Sequence, residues 1–142
     1  MGLWRAVTDH RVQTDPGADD PALVGRTYAI PFGVVWDGAV RLVAGGLRGW
    51  RMIHWDDEKG VVQAEVKGLV FAQLADVTIY ISLDGYGQTR VDVQASGRGS
   101  MGDLGANGRR VRKFFRALDA DLEARPDQIL NPQGELYARL SA

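Results

Sequence analysis

The chain contains no cysteine, only two histidines and no long apolar run. Without cysteine, disulfides, thiolate metal ligands and thiol nucleophiles are excluded. The histidines, His10 and His54, are far apart and lack the close spacing of a zinc motif. No apolar segment approaches the ~20 residues of a membrane-spanning helix. We therefore expect no metal, no cofactor and no transmembrane segment, in a cytoplasmic protein for which peripheral membrane association stays open.

The chain also has no large excess of positive or of negative charge. The chain carries 17 lysines and arginines against 18 aspartates and glutamates, for a formal net charge of −1. Nucleic-acid-binding domains usually have a basic surplus, and single-strand binders add interleaved aromatic side chains. Neither feature is present here, so we expect no nucleic-acid partner.

The length and composition fit one small soluble domain. A chain of 142 residues with 45% hydrophobic and 25% charged side chains is long enough to bury its own core. Residues 1–25 are polar and rich in turn-forming Asp, Gly and Pro, and residues 125–142 carry further prolines and glycine. We predict an N-terminal tail over 1–25, a single domain over 26–124 and a C-terminal tail over 125–142.

The hydrophobic pattern predicts an α+β fold. A short strand is expected over 27–30, and apolar side chains at helical spacing from Phe32 to Val43 predict a helix ending at Gly45-Gly46. Strands with alternating apolar residues follow, with a turn at 56–60 in which Gly60 would take a positive φ. The second predicted helix places apolar residues on one face: Leu104, Gly108, Val111, Phe115, Leu118 and Leu122.

The predicted order of elements is β-α-β-β-β-β-α. Strands that alternate between apolar and polar residues are typical of an antiparallel sheet with one buried face. We predict a two-layer sandwich: a meander sheet of four to five strands with two helices on one face. The other face would be polar, and Tyr80, Arg90 and Gln94 on it are candidate binding residues.

The residues between the last strand and the second helix form a glycine-rich corner. Gly97-Arg98-Gly99-Ser100-Met101-Gly102 matches the G-x-G-x-x-G dinucleotide pattern. A dinucleotide fold, however, needs a parallel strand after the helix with an acid at its end. Here Asp119 and Asp121 fall within the predicted helix. We favour a structural interpretation in which Ser100 and Asp103 cap the helix.

The corner continues into a run of cations. Arg109, Arg110, Arg112 and Lys113 could neutralise an anion, and Arg98 would add to the local positive field. A solvated helix face is the alternative, and we favour it. The candidate anion or partner corner consists of Arg98, Ser100, Asp103, Asn107, Arg109 and Arg110.

No catalytic constellation is present in the sequence, and we predict no catalytic residues. A metal ligand or general base at His54 would be expected to have a second histidine at His-x-x-x-His spacing or a nucleophile motif, and neither accompanies it. The acids at 56–58 lack calcium-loop spacing. The four tryptophans either frame a ligand pocket, fill the core or anchor a partner: Trp4, Trp36, Trp50 and Trp55.

Four segments of the chain carry a resemblance to a known family. They are VWDGAVRL, GWRMIHWDDEKGVVQAEV, ADVTIYI and TRVDVQASGRGSMGDLGANGRRVRKFF. Over residues 32–118 the chain resembles the bacterial domain of unknown function 1499 family. The resemblance implies a fold and a recurring corner, and no established activity comes with it.

Two functional hypotheses follow from these observations. The first is a non-enzymatic accessory or protein-binding domain, a peripheral subunit of a larger and possibly membrane-associated bacterial complex. The second is a small-ligand or lipid-binding module that uses either a pocket under the helices or the polar sheet face. An enzyme ranks third, because its candidate side chains would first have to meet in a cleft.

Overall fold

The computed structural model describes residues 11–13, 25–68, 74–97 and 104–130. They form one antiparallel sheet with two helices. A π-helical turn, Leu42–Gly46, continues the first helix, and a 3₁₀ turn, Pro126–Gln128, precedes the last strand. The elements are β1 (Arg11–Gln13), β2 (Arg26–Tyr28), α1 (Phe32–Arg41), β3 (Trp50–Asp56), β4 (Val61–Lys67), β5 (Leu74–Leu83), β6 (Thr89–Gly97), α2 (Leu104–Asp121) and β7 (Ile129–Leu130).

The α+β class, the antiparallel sheet and the two helices are as predicted. The order across the sheet is β3-β4-β5-β6-β2-β7, and β1 pairs with β6 beside β2. The four-stranded meander β3–β6 is the part that alternation revealed. Three short strands extend it, and two of them, β1 and β7, come from the segments interpreted as tails. The tail boundaries themselves stay a prediction.

Two turns of the meander have clear local causes. Gly60 has φ +70° and accepts a 2.7 Å hydrogen bond from the N–H of Ile81, as the turn passes close to β5. A Cβ at Gly60 would meet the carbonyl oxygen of Ile81, so the position requires glycine. In the β5–β6 turn the Asp84 carboxylate accepts hydrogen bonds from the N–H groups of Tyr86 and Gln88 at 2.8 and 2.9 Å.

The core lies between the helices and one face of the sheet. Trp50 of β3 stacks on Phe114 of α2, with ring centroids 5.9 Å apart, and Phe114 contacts Phe115 edge-on. Burying each such side chain contributes roughly 1.5–3 kcal/mol. Trp36 and Trp50 are therefore core residues, whereas Trp4 lies outside the described residues. The fully buried side chains from both layers include Val35, Val43, Val62, Val77, Ile79, Val93, Phe114 and Leu118.

The second face of the sheet differs between its two ends. On β4 and β5, Gln63 and Tyr80 are exposed, as a polar solvent-facing surface predicts. Thr27 of β2, Arg90 of β6 and Leu130 of β7 lie on the same face, yet each is buried. Strand alternation gives the side of a residue but not its exposure. The face is therefore open on β4 and β5 and closed near β2 and β7.

Candidate functional site

The three residues proposed on the polar face do not share one environment. Tyr80 is 44% exposed and lies opposite Val61 and Asp92. Gln94, half-buried, lies opposite Thr78 on the adjacent row. Tyr80 and Gln94 are thus neighbours on the open part of the face, whereas Arg90 is drawn into the structure.

Arg90 is held by an ion pair and by β2. Its guanidinium donates to both carboxylate oxygens of Asp92, at 2.7 and 3.1 Å, and lies 3.5 Å from the hydroxyl of Thr27. Only 11% of its side chain is exposed. Gly25, with φ +88°, leaves the space that this guanidinium occupies. The arrangement gives Arg90 a structural contact with the β6–β2 edge.

Half of the predicted corner can be placed. Arg98, Ser100 and Asp103 lie outside the described residues, so the predicted cap and the anion site stay predictions. In α2, Asn107 is fully buried and its side-chain oxygen accepts a 2.6 Å hydrogen bond from Arg110. Arg109 lies elsewhere on the helix and is exposed. The helix thus brings Asn107 and Arg110 together and separates both from Arg109.

The outer side of α2 carries a row of cations that we name the basic stripe: Arg109, Lys113 and Arg116. Spacings of four and three residues place these side chains on one side of an α-helix, and all three are exposed. The opposite side of α2 is buried in the core, with Val111 and Leu118 at its centre. In the part of the chain that the structure describes, no carboxylate pairs with any of the three.

A polar junction that the sequence analysis did not predict joins β2 to α2. The buried hydroxyl of Tyr28 donates a 2.5 Å hydrogen bond to Asp119, and Arg26 lies 3.3 Å from the other oxygen of that carboxylate. The Arg26 guanidinium also sits 5.3 Å above the ring of Phe115. We call Arg26, Tyr28 and Asp119 the β2–α2 junction. Its members are up to 93 positions apart, so no local pattern signals it.

Burial controls the protonation of this junction. Desolvation raises the pKa of Tyr28 far above its ordinary value, and the adjacent Asp119 carboxylate raises it further. Desolvation also raises the pKa of Asp119, while the Tyr28 hydrogen bond and the Arg26 charge act in the opposite direction. A tyrosine held neutral in this way is a hydrogen-bond donor rather than a nucleophile. The junction therefore serves to hold β2 against α2.

The opposite end of the sheet presents apolar side chains. Strand β3 is the terminal strand, and Ile53 and Trp55 on it are 51% and 58% exposed. A β-bulge interrupts the pairing with β4 between Met52 and His54. We call Ile53 and Trp55 the β3 edge. From the sequence, Trp55 is only one of four tryptophans that could line a pocket, fill the core or contact a partner.

His54 is exposed on the strand and lies opposite Gln63. Within residues 11–13, 25–68, 74–97 and 104–130, no three His, Asp or Glu side chains are grouped so that they could hold a metal ion. No helix of that described part is long and apolar enough to cross a membrane.

Comparison with known protein families identifies the family of this chain. A family model described as a protein of unknown function (DUF1499) matches residues 28–118, from the last residue of β2 into α2. The match covers the whole meander and α1. No curated protein matches the chain.

Proposed function

The chain belongs to the DUF1499 family, whose description names no activity, and we propose from its surface that it is a non-enzymatic protein-binding domain. In this proposal it acts as an accessory subunit of a larger assembly. A cytoplasmic position and peripheral attachment to a membrane-bound complex are parts of the same proposal. The observation that carries it is the β3 edge, where two large apolar side chains are more than half exposed on the terminal strand.

The exposure of these side chains favours a partner contact. Trp and other large apolar side chains provide much of the binding energy where they enter a pocket on a partner. The protein already buries two of its tryptophans: Trp36 and Trp50 are each 8% exposed. Trp55, on the same strand as Trp50, is left outside that core. Trp55 lies opposite the buried Val62, and Ile53 lies in the β-bulge of the strand, so the two exposed apolar side chains lie along the terminal strand rather than in one flat patch.

The β-bulge indicates how the partner would dock. An edge strand can accept another strand when its backbone groups form a regular row. The irregularity between Met52 and His54 disturbs that row in the middle of β3. We therefore propose docking through the exposed side chains of Ile53 and Trp55, which a partner would contact around the edge of the sheet, rather than by extension of the sheet.

A small-ligand module is the second candidate, and Tyr80 is the observation that favours it. Its ring is 44% exposed on the open face, with Thr78 and Gln94 on the adjacent row. An aromatic ring beside hydroxyl and amide groups can hold a small polar molecule by stacking and hydrogen bonding. Native mass spectrometry of the purified protein distinguishes this candidate. Only the small-ligand module predicts that a small molecule stays bound to the unmodified protein and is lost from Tyr80→Ala.

Site-specific cross-linking tests the protein-binding proposal. A photo-reactive amino acid is placed at position 55 in the full chain and, as a control, at position 86. Tyr86 is also an exposed aromatic residue, at 79%, but it lies in the β5–β6 turn away from the β3 edge. We expect a discrete protein adduct from position 55 in cells of the source organism, and none of the same mass from position 86.

A second substitution shows whether the adduct depends on the surface. Ile53→Ser in the position-55 background should reduce the adduct at least fivefold, because it removes the second exposed apolar side chain of the β3 edge. Equal adducts from positions 55 and 86, or an adduct unaffected by Ile53→Ser, would contradict the proposal. The absence of any adduct from position 55 would contradict it as well.

A further inference from the structure

The basic stripe of α2 contributes nothing visible to the fold. Like charges three and four residues apart on a helix repel one another and destabilise it slightly. Arg109, Lys113 and Arg116 have this spacing, and no described carboxylate offsets them. The stripe lies directly opposite the buried side of α2, so none of its charged groups is needed for packing. The repulsion within this row of cations is thus not offset by any contact with the described part of the fold.

The other arginines of the described chain are used differently. Five of them form ion pairs with carboxylates at 3.3 Å or less, and two of these pairs use acids from the C-terminal end of α2 itself. The remaining exposed cations lie in the turn before β3, in the β3–β4 turn and at the end of β4: Arg48, Lys59 and Lys67. The five pairs are Arg26–Asp119, Arg41–Asp121, Arg51–Glu65, Arg90–Asp92 and Arg125–Asp127.

From this contrast we infer that the basic stripe binds an acidic segment of a protein partner. The inference rests on the proposed function in one respect, namely that the partner is a protein. From Arg109 to Arg116 the stripe is roughly 10 Å long, at about 1.5 Å per residue. Carboxylates at spacings of four and three residues on a partner helix would lie at the same intervals. The complementary charges would mainly accelerate association and fix its orientation.

Anionic lipid and nucleic acid, the two other anionic partners to consider, fit the basic stripe less well. Basic clusters that hold a protein on anionic lipid contain about four to eight cations. The stripe presents three exposed cations, because Arg110 is bonded to Asn107 and Arg112 is half-buried. Nucleic-acid binding draws on a wider basic field and often on exposed aromatic rings beside it. The chain has a net charge of −1, and the exposed tryptophan of the described part lies on β3 rather than on α2. An acidic protein segment is therefore the occupant that three cations in a short row suit best.

The test uses a synthetic helical peptide with glutamates at positions i, i+4 and i+7, and a scrambled peptide of the same composition. Binding to the full chain is measured by fluorescence anisotropy at low ionic strength. Arg109→Glu, Lys113→Glu and Arg116→Glu together should raise the Kd for the patterned peptide at least tenfold. Arg48→Glu, Lys59→Glu and Lys67→Glu make the same change in net charge elsewhere and should alter the Kd by less than twofold.

Folding is controlled with a neutral variant. Arg109→Gln, Lys113→Gln and Arg116→Gln should leave the thermal unfolding midpoint within a few degrees of that of the unmodified chain, and should still weaken the peptide at least fivefold. A variant that loses peptide binding only because it unfolds would be recognised by its midpoint, and the binding comparison is then made on the glutamine variant.

Several outcomes would overturn the inference. Equal losses in the stripe and control variants would mean that net charge alone governs binding, as would equal affinity for the patterned and scrambled peptides. Failure of the unmodified chain to bind the patterned peptide would also overturn it, as would tighter binding to phosphatidylserine vesicles or duplex DNA. Because cross-linking from position 55 is read independently, a positive adduct with a negative peptide result would defeat this inference and leave the proposed function intact.

Discussion

The two ends of the sheet differ in which kind of side chain they bury and which kind they expose. At one end, the β2–α2 junction buries a tyrosine hydroxyl and a carboxylate and gives each a partner, with the arginine stacked on Phe115. At the other end, the β3 edge leaves a tryptophan and an isoleucine more than half exposed. Polar side chains are therefore largely buried and paired at the β2–α2 junction, whereas large apolar side chains are exposed on the terminal strand β3.

This difference separates residues that serve stability from residues that are free to serve binding. A buried hydrogen-bonded group is costly to lose, because its partner is then left buried without one. An exposed apolar side chain contributes little to folding. If the comparison holds, substitutions at the junction should act on the free energy of unfolding, and substitutions at the β3 edge should act on association.

The largest expected effect is at the junction. Asp119→Ala removes the acceptor of Tyr28 and the partner of Arg26, and should lower the free energy of unfolding by about 2–3 kcal/mol. This is below the roughly 3–5 kcal/mol for breaking a fully buried pair, because 24% of the Asp119 side chain is exposed. Urea denaturation measures the change.

Asp121→Ala is the matched control for that substitution. Asp121 lies two residues further along α2 and also pairs with an arginine, Arg41, at 2.7 Å. The arginine side chain of that pair is 59% exposed, so its loss should lower the free energy of unfolding by clearly less than the loss of Asp119 does. Similar losses from both substitutions would remove the distinction between a buried junction and a surface ion pair.

A smaller effect is expected from pH. Burial raises the pKa of Asp119 above the ordinary value of about 3.9. Between the ordinary and the raised pKa the folded state binds more protons than the unfolded state, so the unfolding free energy falls as pH rises. The contribution is fully present below the ordinary pKa and is lost as pH rises through the folded pKa.

Asp119→Asn isolates this contribution, because the amide cannot titrate. As pH is lowered from 7 towards 4, the unfolding free energy of the unmodified chain should increase relative to that of the variant. Urea titrations of both proteins at several pH values measure the difference. Parallel profiles, or a difference of opposite sign, would show that the carboxyl is not held in a desolvated environment.

The smallest effect on stability is expected at the β3 edge. Trp55→Ser should change the free energy of unfolding by no more than about 0.5 kcal/mol, because its side chain is largely in solvent. Trp50→Ser, on the same strand, removes the ring that stacks on Phe114 and should cost roughly 3–5 kcal/mol. Comparable losses measured by thermal unfolding would place Trp55 in the core and break the comparison of the two ends.

The sequence predicts most of the architecture, because the meander is local. Alternating residues on β4, β5 and β6 reveal their buried face, and helical spacing reveals the buried face of α2 with Val111, Phe115 and Leu118. Phe114 is missed, because it lies beside the predicted apolar row; it is buried in contact with Trp50 and Phe115. The predicted strand over 27–30 is observed as Arg26–Tyr28.

What the sequence does not predict depends on distant contacts. Strands β1 and β7 have three and two residues, too few for any alternation to be recognised. The Tyr28–Asp119 hydrogen bond joins residues 91 positions apart. Arg90 lies on the predicted side of its strand, yet its burial depends on Gly25 and Thr27, whose positions follow only from the assembled edge.

The long separation between Tyr28 and Asp119 also bears on the order of folding events. The hairpins of the meander join neighbouring segments of the chain, whereas the junction joins residues 91 positions apart. Long-range contacts of this kind tend to form late on the folding route. Interactions absent from the transition state slow unfolding without accelerating folding. We therefore expect the junction to affect the rate of unfolding more than the rate of folding.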